Sequence, residues 1–259
     1  MKSDSLLSNI ERQEMILKLV EKQRRVTVEE ICQQFTISKA TARRDLGALE
    51  GGHKVKRIHG GAIAIRQAPP EQPVLQRNVE QEDEKNRIGY AVASLIQDGE
   101  TIFLGSGTTV LAVARNIKKH KNLSVITNSV LVINELADVE DLTIIVLGGV
   151  LRQSEMSLIG HIAEKSLSEV RADKVILGVR AIDLEQGLTN DYLPETMTDR
   201  AIINISRTLI IVADHTKCGR VSTAFVAPLG VIHTFVTGVE TLSEFNNGLT
   251  NLGIQAITA

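Results

Sequence analysis

The spacing of apolar residues over the first fifty positions predicts three short helices. The first of them ends between residues 22 and 25. Its apolar residues are Ile10, Met15, Ile16, Leu19 and Val20. Thr27 and Glu30 have the spacing of a capping box and open a second helix that ends near Phe35. Ser38 is a suitable N-cap for a third helix over residues 39–50, after a tight turn.

A short hairpin is predicted directly after the third helix. Residues 55–59 alternate between apolar and polar positions and lead into Gly60 and Gly61. A second β-type run then covers residues 62–65. The segment is therefore interpreted as a two-stranded wing beside a helix-turn-helix.

The pattern changes near residue 84 to an alternation of strands and helices. Strand-like runs lie at residues 101–104, 124–127, 143–147, 174–178, 208–213, 231–237 and 255–258. This rhythm predicts an α/β fold with a largely parallel sheet. Three of the five prolines and an acidic run fall at residues 67–83, a composition typical of a linker. We expect an N-terminal domain over residues 1–66, a linker over residues 67–83 and an α/β domain over residues 84–259.

Polar clusters follow five of the predicted strands, and the first of them has the composition of an anion-binding turn. In Gly105-Ser106-Gly107-Thr108-Thr109 a strand turns into a helix, so that backbone N–H groups and the helix dipole can face one phosphate. Ligands of parallel sheets bind outside the carboxyl ends of the strands. The five clusters therefore predict one phosphate-binding crevice. An ordinary tight connection between strand and helix remains the alternative for the glycine turn alone.

Charge is distributed unevenly along a chain whose overall net charge is −2. Residues 1–66 contain thirteen basic and eight acidic side chains, whereas the remainder contains sixteen and twenty-three. A basic segment joined to an acidic one favours a polyanion-binding module attached to a second domain. Chance clustering on a solvated face is the alternative. No secretory signal or membrane-spanning run is predicted, and a cytoplasmic location is expected.

The third helix carries the chemistry that reads DNA. The first turns of the second motif helix enter the major groove, where Arg and Lys reach guanine acceptors or phosphates. The candidate DNA contacts on this helix and on the wing are Ser38, Lys39, Thr41, Arg43, Arg44, Lys56, Arg57 and His59. Asp45 is expected to pair locally and to orient an arginine. A solvated helix face is the alternative interpretation of the helix alone.

Cysteine spacing predicts neither a disulfide framework nor a metal site. Cys32 and Cys218 lie far apart, and neither has a Cys or His neighbour at ligand spacing. Cys32 falls at a core position of a helix. Cys218 lies in a polar loop, where it is interpreted as a packing residue or, alternatively, as a reactive thiol. No cofactor is predicted.

These residues resemble those of the DeoR/GlpR family of bacterial transcriptional regulators. The similarity covers nearly the whole chain in the family's order, including residues 38–46 (SKATARRDL), 59–62 (HGGA), 98–109 (DGETIFLGSGTT), 126–129 (ITNS), 157–161 (SLIGH), 177–183 (LGVRAID), 191–195 (DYLPE) and 213–220 (ADHTKCGR). The resemblance implies a winged helix-turn-helix and a C-terminal sensor domain similar in fold to sugar-phosphate isomerases. It also implies a homo-oligomeric repressor of a carbohydrate catabolic operon, with a phosphorylated sugar or related metabolite as effector.

On this interpretation the crevice is an effector site. Hydroxyls of the glycine turn and the Lys217 ammonium would hold the phosphate. Asp214 would bind sugar hydroxyls or, alternatively, cap its loop. Glu195 would also bind a hydroxyl or, alternatively, lie in solvent on a loop. The predicted effector contacts are Gly105, Ser106, Gly107, Thr108, Thr109, Asn128, Arg152, Arg180, Asp183, Glu195, Asp214 and Lys217.

Three positions depart from the family pattern. His53 stands where a glycine is common, so the turn into the wing is expected to differ. Cys218 replaces a common phenylalanine. Arg180 stands where many members carry an acidic or small residue, and it is expected either to contact a phosphate or carboxylate, or to lie on the surface paired with Asp183 or Glu185.

Two other functions remain open at this point. One is a sugar-phosphate isomerase or related enzyme on the same fold, for which Asp183, Glu195, Asp214 and Lys217 are the candidate acid–base groups. The other is a constitutive DNA-binding protein whose C-terminal domain serves only in oligomerisation. The DNA-binding segment argues against a simple isomerase.

Overall fold

The computed structural model describes residues 8–23, 25–52, 54–64 and 67–259, and His53 and Ile65 therefore lie outside the described residues. The chain forms two compact units, residues 1–66 and residues 67–259. Residues 67–83 thus differ from the expected linker, because they pack as part of the second unit. Val74 and Arg77 within them are buried.

The N-terminal unit is built from three helices and a three-stranded antiparallel sheet. Its elements are α1 (Asn9–Gln23), β1 (Arg25–Thr27), α2 (Val28–Phe35), α3 (Lys39–Gly51), β2 (Val55–Ile58) and β3 (Gly61–Ala64). The sheet order is β1-β3-β2. β2 and β3 form the predicted wing, while β1 was not predicted, since three residues are too few to show an alternation.

Local signals determine where the helices of this unit begin. The capping box of α2 is present, because Thr27 N donates to Glu30 Oε2 (2.6 Å) and Glu30 N donates to Thr27 Oγ1 (3.2 Å). Thr36 ends the helix in the left-handed conformation at φ 53°. Ser38 then caps α3 by accepting from Thr41 N at 3.1 Å. The three helices pack on one core that includes Ile16, Val20, Ile31 and Leu46.

The C-terminal unit alternates strands and helices as predicted. Its elements are α4 (Val74–Arg77), α5 (Glu82–Ala93), β4 (Thr101–Leu104), α6 (Thr108–Asn116), β5 (Leu123–Thr127), α7 (Val130–Leu136), β6 (Leu142–Val146), β7 (Val150–Arg152), β8 (Ser157–Ile159), α8 (His161–Ser168), β9 (Lys174–Gly178), β10 (Ala181–Asp183), β11 (Gly187–Asn190), α9 (Leu193–Ile203), β12 (Leu209–Val212), β13 (Ala224–Ala227), β14 (Thr234–Thr237), α10 (Ser243–Asn251) and β15 (Gln255–Thr258).

Seven of these strands form one parallel sheet in the order β15-β14-β12-β9-β4-β5-β6. The chain builds outward from β4 to β6 and then returns to β9 on the other side of β4. The strand order therefore reverses between β4 and β9, where the carboxyl ends of an open α/β sheet leave a crevice. Apolar cores cover the sheet and include the fully buried Phe103, Leu104, Ile176 and Ile211.

Two small antiparallel sheets complete the unit. β7 pairs with β8, and β11 lies between β10 and β13. Neither was predicted, because strands of three or four residues separated by turns resemble loops in the sequence. The strand predicted at residues 231–237 is also shorter, since residues 229–231 form a 3₁₀ turn and the strand begins at Thr234.

No helix within the described ranges is long and apolar enough to cross a bilayer.

Candidate functional site

The predicted DNA-reading residues of α3 lie on its outer face. Ser38, Lys39, Arg43 and Arg44 are exposed. Thr41 is half-buried, and its hydroxyl lies 2.9 Å from that of Ser38. Lys39 forms an ion pair with Glu29 at 2.6 Å, but both side chains are more than half exposed. Such a surface pair contributes little stability and can exchange for a phosphate contact.

Asp45 pairs with a residue of α1 and not with a neighbouring arginine of α3, which corrects the expectation of a local pair. Arg12 donates from Nε to Asp45 Oδ2 at 2.6 Å and from a terminal nitrogen to Oδ1 at 3.1 Å. Gln13 donates to the same carboxylate at 3.2 Å. The bidentate pair fixes α1 against α3 and leaves Arg43 and Arg44 exposed, without an ion-pair partner among the residues described.

Wing and helix contribute to one shallow depression. Arg43 of α3 and Arg57 and His59 of the wing line it together. Arg57 also lies 3.8 Å from a Glu50 carboxylate oxygen, and both side chains are about half exposed. Lys56 is half-buried and also interacts with another group. A cationic surface formed by the motif helix and the wing has the chemistry that binds a DNA backbone.

The second candidate site is the crevice at the reversal of strand order in the C-terminal unit. It encloses about 730 Å³, including the solvent at its mouth. Loops after β4, β9 and β12 line it, and Arg152 of β7 reaches it from the side. Four of the five predicted polar clusters therefore contribute residues to the crevice, and the cluster after β5 does not.

The glycine turn presents the start of α6 to the crevice. Gly107 has φ 105°, a conformation that favours glycine, and no side chain caps the helix. Ser106, Thr108 and Thr109 line the crevice, and both threonines are buried. Uncapped N–H groups at a helix start, together with hydroxyls, form an anion-binding arrangement.

Several predicted cations lie in the crevice and share one acidic partner. Lys217 forms an ion pair with Glu71, a residue of the segment predicted to be a linker. Arg180 is buried and its Nε lies 3.3 Å from Glu71 and 3.0 Å from Asp191. It is therefore not a surface arginine, and neither Asp183 nor Glu185 is among its ion-pair partners.

Two further cations of the crevice were missed in the sequence. Arg77 is buried and forms ion pairs with Glu71 at 2.9 Å and with Glu155. Lys85 of α5 is buried and donates to the carbonyl oxygens of Arg77, at 3.0 Å, and of Glu80. Burial lowers the pKa of Lys85, and the nearby Lys217 and Arg77 add to this effect. The helical pattern could have identified Lys85 as an inward-facing residue, because the apolar residues Ile88 and Val92 follow it at spacings of three and seven.

Arg152 and Glu195 line the crevice but bind each other. Glu195 also accepts from Ser157 Oγ at 2.9 Å, and the Arg152 guanidinium lies 4.5 Å from the centre of the Tyr192 ring. Beside them, burial and the Glu195 carboxylate raise the pKa of Asp199 well above its usual range. This side of the crevice is a hydrogen-bonded network and offers hydroxyl-binding groups.

Three residues predicted as effector contacts do not line the crevice. Gly105 is buried, and a Cβ there would lie 2.7 Å from Leu177 Cδ1, so its role is the close approach of β4 and β9. Asn128 donates to Leu158 O at 3.1 Å, and its buried Oδ1 has no partner among the described residues. Asp183 accepts from the backbone of Glu185 and Gln186 and caps a turn.

Asp214 lines the crevice, and its carboxylate caps the 3₁₀ turn at His215–Lys217 by accepting from Thr216 N at 3.0 Å. Burial raises the pKa of the neighbouring Cys218 thiol to about 12, which favours a packing residue over a reactive thiol.

One group of possible metal ligands lies beside the crevice. Glu84, Asp214 and His215 bring ligand atoms within 4.8 Å of one another. Glu84 already accepts from the His215 backbone and lies 2.7 Å from its ring nitrogen. The described contacts satisfy these groups within the chain, so they assign no metal.

A winged helix-turn-helix unit with a cationic outer face, followed by an α/β unit with a cation-rich crevice, is the architecture of a DNA-binding regulator with a sensor domain. Family comparison agrees with this class. A model of the DeoR-like helix-turn-helix domain matches residues 12–68, and one of the DeoR C terminal sensor domain matches residues 80–239. The chain belongs to the DeoR family of transcriptional regulators.

Relatives match over most of their own length. The glycerol-3-phosphate regulon repressor of Escherichia coli is 38% identical over 83% of this chain and 84% of the repressor. The transcriptional repressor AccR of Agrobacterium fabrum is 34% identical over 92% of this chain and 93% of its own. The repressor GlcR of Bacillus subtilis is 36% identical over 88% of this chain and 87% of its own.

Similarity to solved structures is more distant. A ribose 5-phosphate isomerase A from Methanocaldococcus jannaschii superposes on 54% of this chain and 55% of its own, with a TM-score of 0.40 and 16% identity. A likeness of this size carries no argument about activity.

Proposed function

We propose that this regulator represses a carbohydrate or polyol-phosphate operon and that a phosphorylated metabolite bound in the crevice changes its affinity for operator DNA. The observation that carries the proposal is the meeting of the uncapped start of α6 with Lys85, Arg180 and Lys217 in one crevice. Relatives named as repressors of a glycerol-3-phosphate regulon and of other genes support the same conclusion. The proposal places the protein with its DNA in the cytoplasm.

DNA binding is assigned to α3 and the wing. Arg43 and Arg44 approach base edges or phosphates, Ser38, Lys39 and Thr41 contact the backbone at the helix start, and Lys56, Arg57 and His59 contact the adjoining phosphates. A single winged helix covers few base pairs, so we propose a homo-oligomer, at least a dimer, that binds paired half-sites.

Effector binding is assigned to the part of the predicted set that lines the crevice. Ser106, Gly107, Thr108 and Thr109 hold the phosphate together with Lys217, and Lys85 is added to this group. Asp214, Asp199 and Glu195 face the hydroxyl groups of the sugar. The ligand regulates only through a difference in its affinity for the DNA-bound and DNA-free proteins.

We propose a sensor and not an enzyme. Glu195 is held by Arg152 and Ser157, which suits it to accept hydrogen bonds from a ligand and not to transfer a proton, and Asp183 caps a turn outside the crevice. Turnover of a sugar phosphate by the full chain, lost in Asp199→Asn, would instead support the isomerase interpretation.

The direct test is a titration of the full chain against its own upstream DNA, repeated at fixed salt with a panel of phosphorylated sugars and polyols. We expect one compound to change the operator affinity at least fivefold, and Lys217→Ala to abolish this change while leaving DNA affinity intact. Tight DNA binding that no compound alters would support the constitutive alternative.

A further inference from the structure

The cations of the crevice converge on a carboxylate that belongs to the chain itself. Glu71 accepts a hydrogen bond from the Lys217 ammonium and one from Arg77 at 2.9 Å, and it lies 3.3 Å from Arg180 Nε. Its side chain is 13% exposed. One carboxylate therefore occupies the position where three cations would hold the anionic group of a ligand.

The same cations hold the segment that carries Glu71, which we call the strap (residues 67–73). Arg180 donates to the carbonyl of Pro69, and Arg77 Nε donates to that of Gln72 at 2.7 Å. Ala68 N donates to Val221 O at 2.9 Å. Side chains of the crevice thus hold the backbone of the strap at Pro69 and Gln72.

The strap also has a defined place in the chain, because residue 67 is the first residue of the C-terminal unit. Seven residues span up to about 23 Å when extended. A released strap would therefore add these seven residues to the tether between the DNA-binding unit and the sensor unit.

We propose that Glu71 is a tethered competitor for the anionic group of the effector, and that an effector phosphate bound to Lys217 and Arg180 displaces Glu71 and releases the strap. This inference rests on the proposed function of the crevice. A phosphate dianion offers more charge and more acceptor oxygens than one carboxylate. A neutral sugar cannot compete for these cations, so the release selects phosphorylated ligands.

Competition makes two predictions for variants of the full chain. Removal of the Glu71 carboxylate raises the apparent affinity for an anion, since the anion no longer has to displace this carboxylate from the cations. It also loosens the strap without any ligand. Glu80→Gln is the matched control, because Glu80 lines the crevice and carries the same charge on an exposed side chain.

The experiment measures binding of inorganic phosphate by calorimetry, and hydrogen exchange of the peptide that contains Ala68, in the wild type, Glu71→Gln and Glu80→Gln. We expect Glu71→Gln to bind phosphate at least fivefold more tightly than the wild type, and Glu80→Gln less than twofold. Phosphate should accelerate exchange at Ala68 in the wild type. In Glu71→Gln, exchange should already be fast without phosphate.

Equal effects of Glu71→Gln and Glu80→Gln on affinity, with Ala68 protected in all proteins, would overturn the inference and leave Glu71 as part of the crevice wall. In that case the proposed function stands if a phosphorylated compound still changes operator affinity. Absence of phosphate binding to every variant would overturn both the inference and the assigned anion site.

Discussion

The guanidinium of Arg12 and the carboxylate of Asp45 form a two-point hydrogen-bonded pair between the first and third helices of the DNA-binding unit. Asp45 is almost fully buried, with its side chain 2% exposed. The pair lies on the inner side of α3, whereas Arg43 and Arg44 lie on its outer side. The orientation of the DNA-reading face therefore depends on a buried contact at its back.

Asp45→Asn should destabilise the N-terminal unit by about 1–3 kcal/mol, because a buried charged donor loses its ionised partner. Urea unfolding followed by circular dichroism measures the change. Glu29→Gln removes the exposed partner of Lys39 and should cost much less, because water screens a surface ion pair. Similar costs for the two variants would mean that the Arg12–Asp45 pair does not hold α1 against α3.

Arg43→Ala should weaken operator binding by about 1–3 kcal/mol if the side chain reads a base. Lys18→Ala, an equal loss of charge at an exposed position of α1, is the control and should have a smaller effect. Fluorescence anisotropy at several salt concentrations separates the two roles, since a phosphate contact also lowers the salt slope by about one. An unchanged affinity at low salt contradicts the assignment.

Thr108→Val should reduce effector affinity tenfold or more, because it removes a hydroxyl at the start of α6 while keeping the shape of the side chain. The compound found in the DNA titration is the ligand, and calorimetry is the measurement. Thr101→Val makes the same change at the amino end of β4 and serves as the control. Equal losses would indicate a general loss of stability and not a lost contact.

Asp199→Asn should change how stability depends on pH. Burial raises the pKa of Asp199 in the folded protein, so the ionised form is disfavoured there and the wild type loses stability as the pH rises from the ordinary carboxyl range through the raised value. An amide does not ionise, and the variant should gain stability relative to the wild type as the pH rises above the ordinary carboxyl range. Parallel stability profiles in urea unfolding would contradict the raised pKa.

Cys218 should resist alkylation in the folded protein. With a pKa of about 12, roughly one molecule in 10⁴ carries the thiolate at pH 8. Peptide mapping after iodoacetamide treatment should show Cys218 unmodified until denaturant is added. Rapid labelling of the native protein would contradict the burial of this thiol.

The parts that were predictable from sequence are those that depend on local chemistry or periodicity. The capping box of Thr27 and Glu30 predicted one helix start, and the N-cap Ser38 predicted another. The strands of the parallel sheet were predicted because they are short, largely apolar runs. The reversal of strand order between β4 and β9 could not be found in this way, because it depends on which strands pair.

Two of the missed residues of the crevice share one cause. Glu71 and Arg77 lie in a proline-containing segment that has the composition of a linker, and only tertiary contacts bury it. Conversely, Asp183 and Asn128 follow strands, as ligand residues often do, but their side chains are used for a turn and for a backbone contact. A residue's position after a strand predicts that it lies near the crevice, but not that its side chain points into it.

We propose that ligand binding in the crevice and DNA binding by α3 and the wing are coupled. The most direct measurement is the affinity of the full chain for its effector, with and without saturating operator DNA, by calorimetry at fixed salt. Thermodynamic linkage makes the coupling reciprocal: the factor by which operator DNA changes the effector affinity equals the factor by which the effector changes the operator affinity. We predict equal factors of at least five. Identical effector affinities with and without DNA would contradict the account.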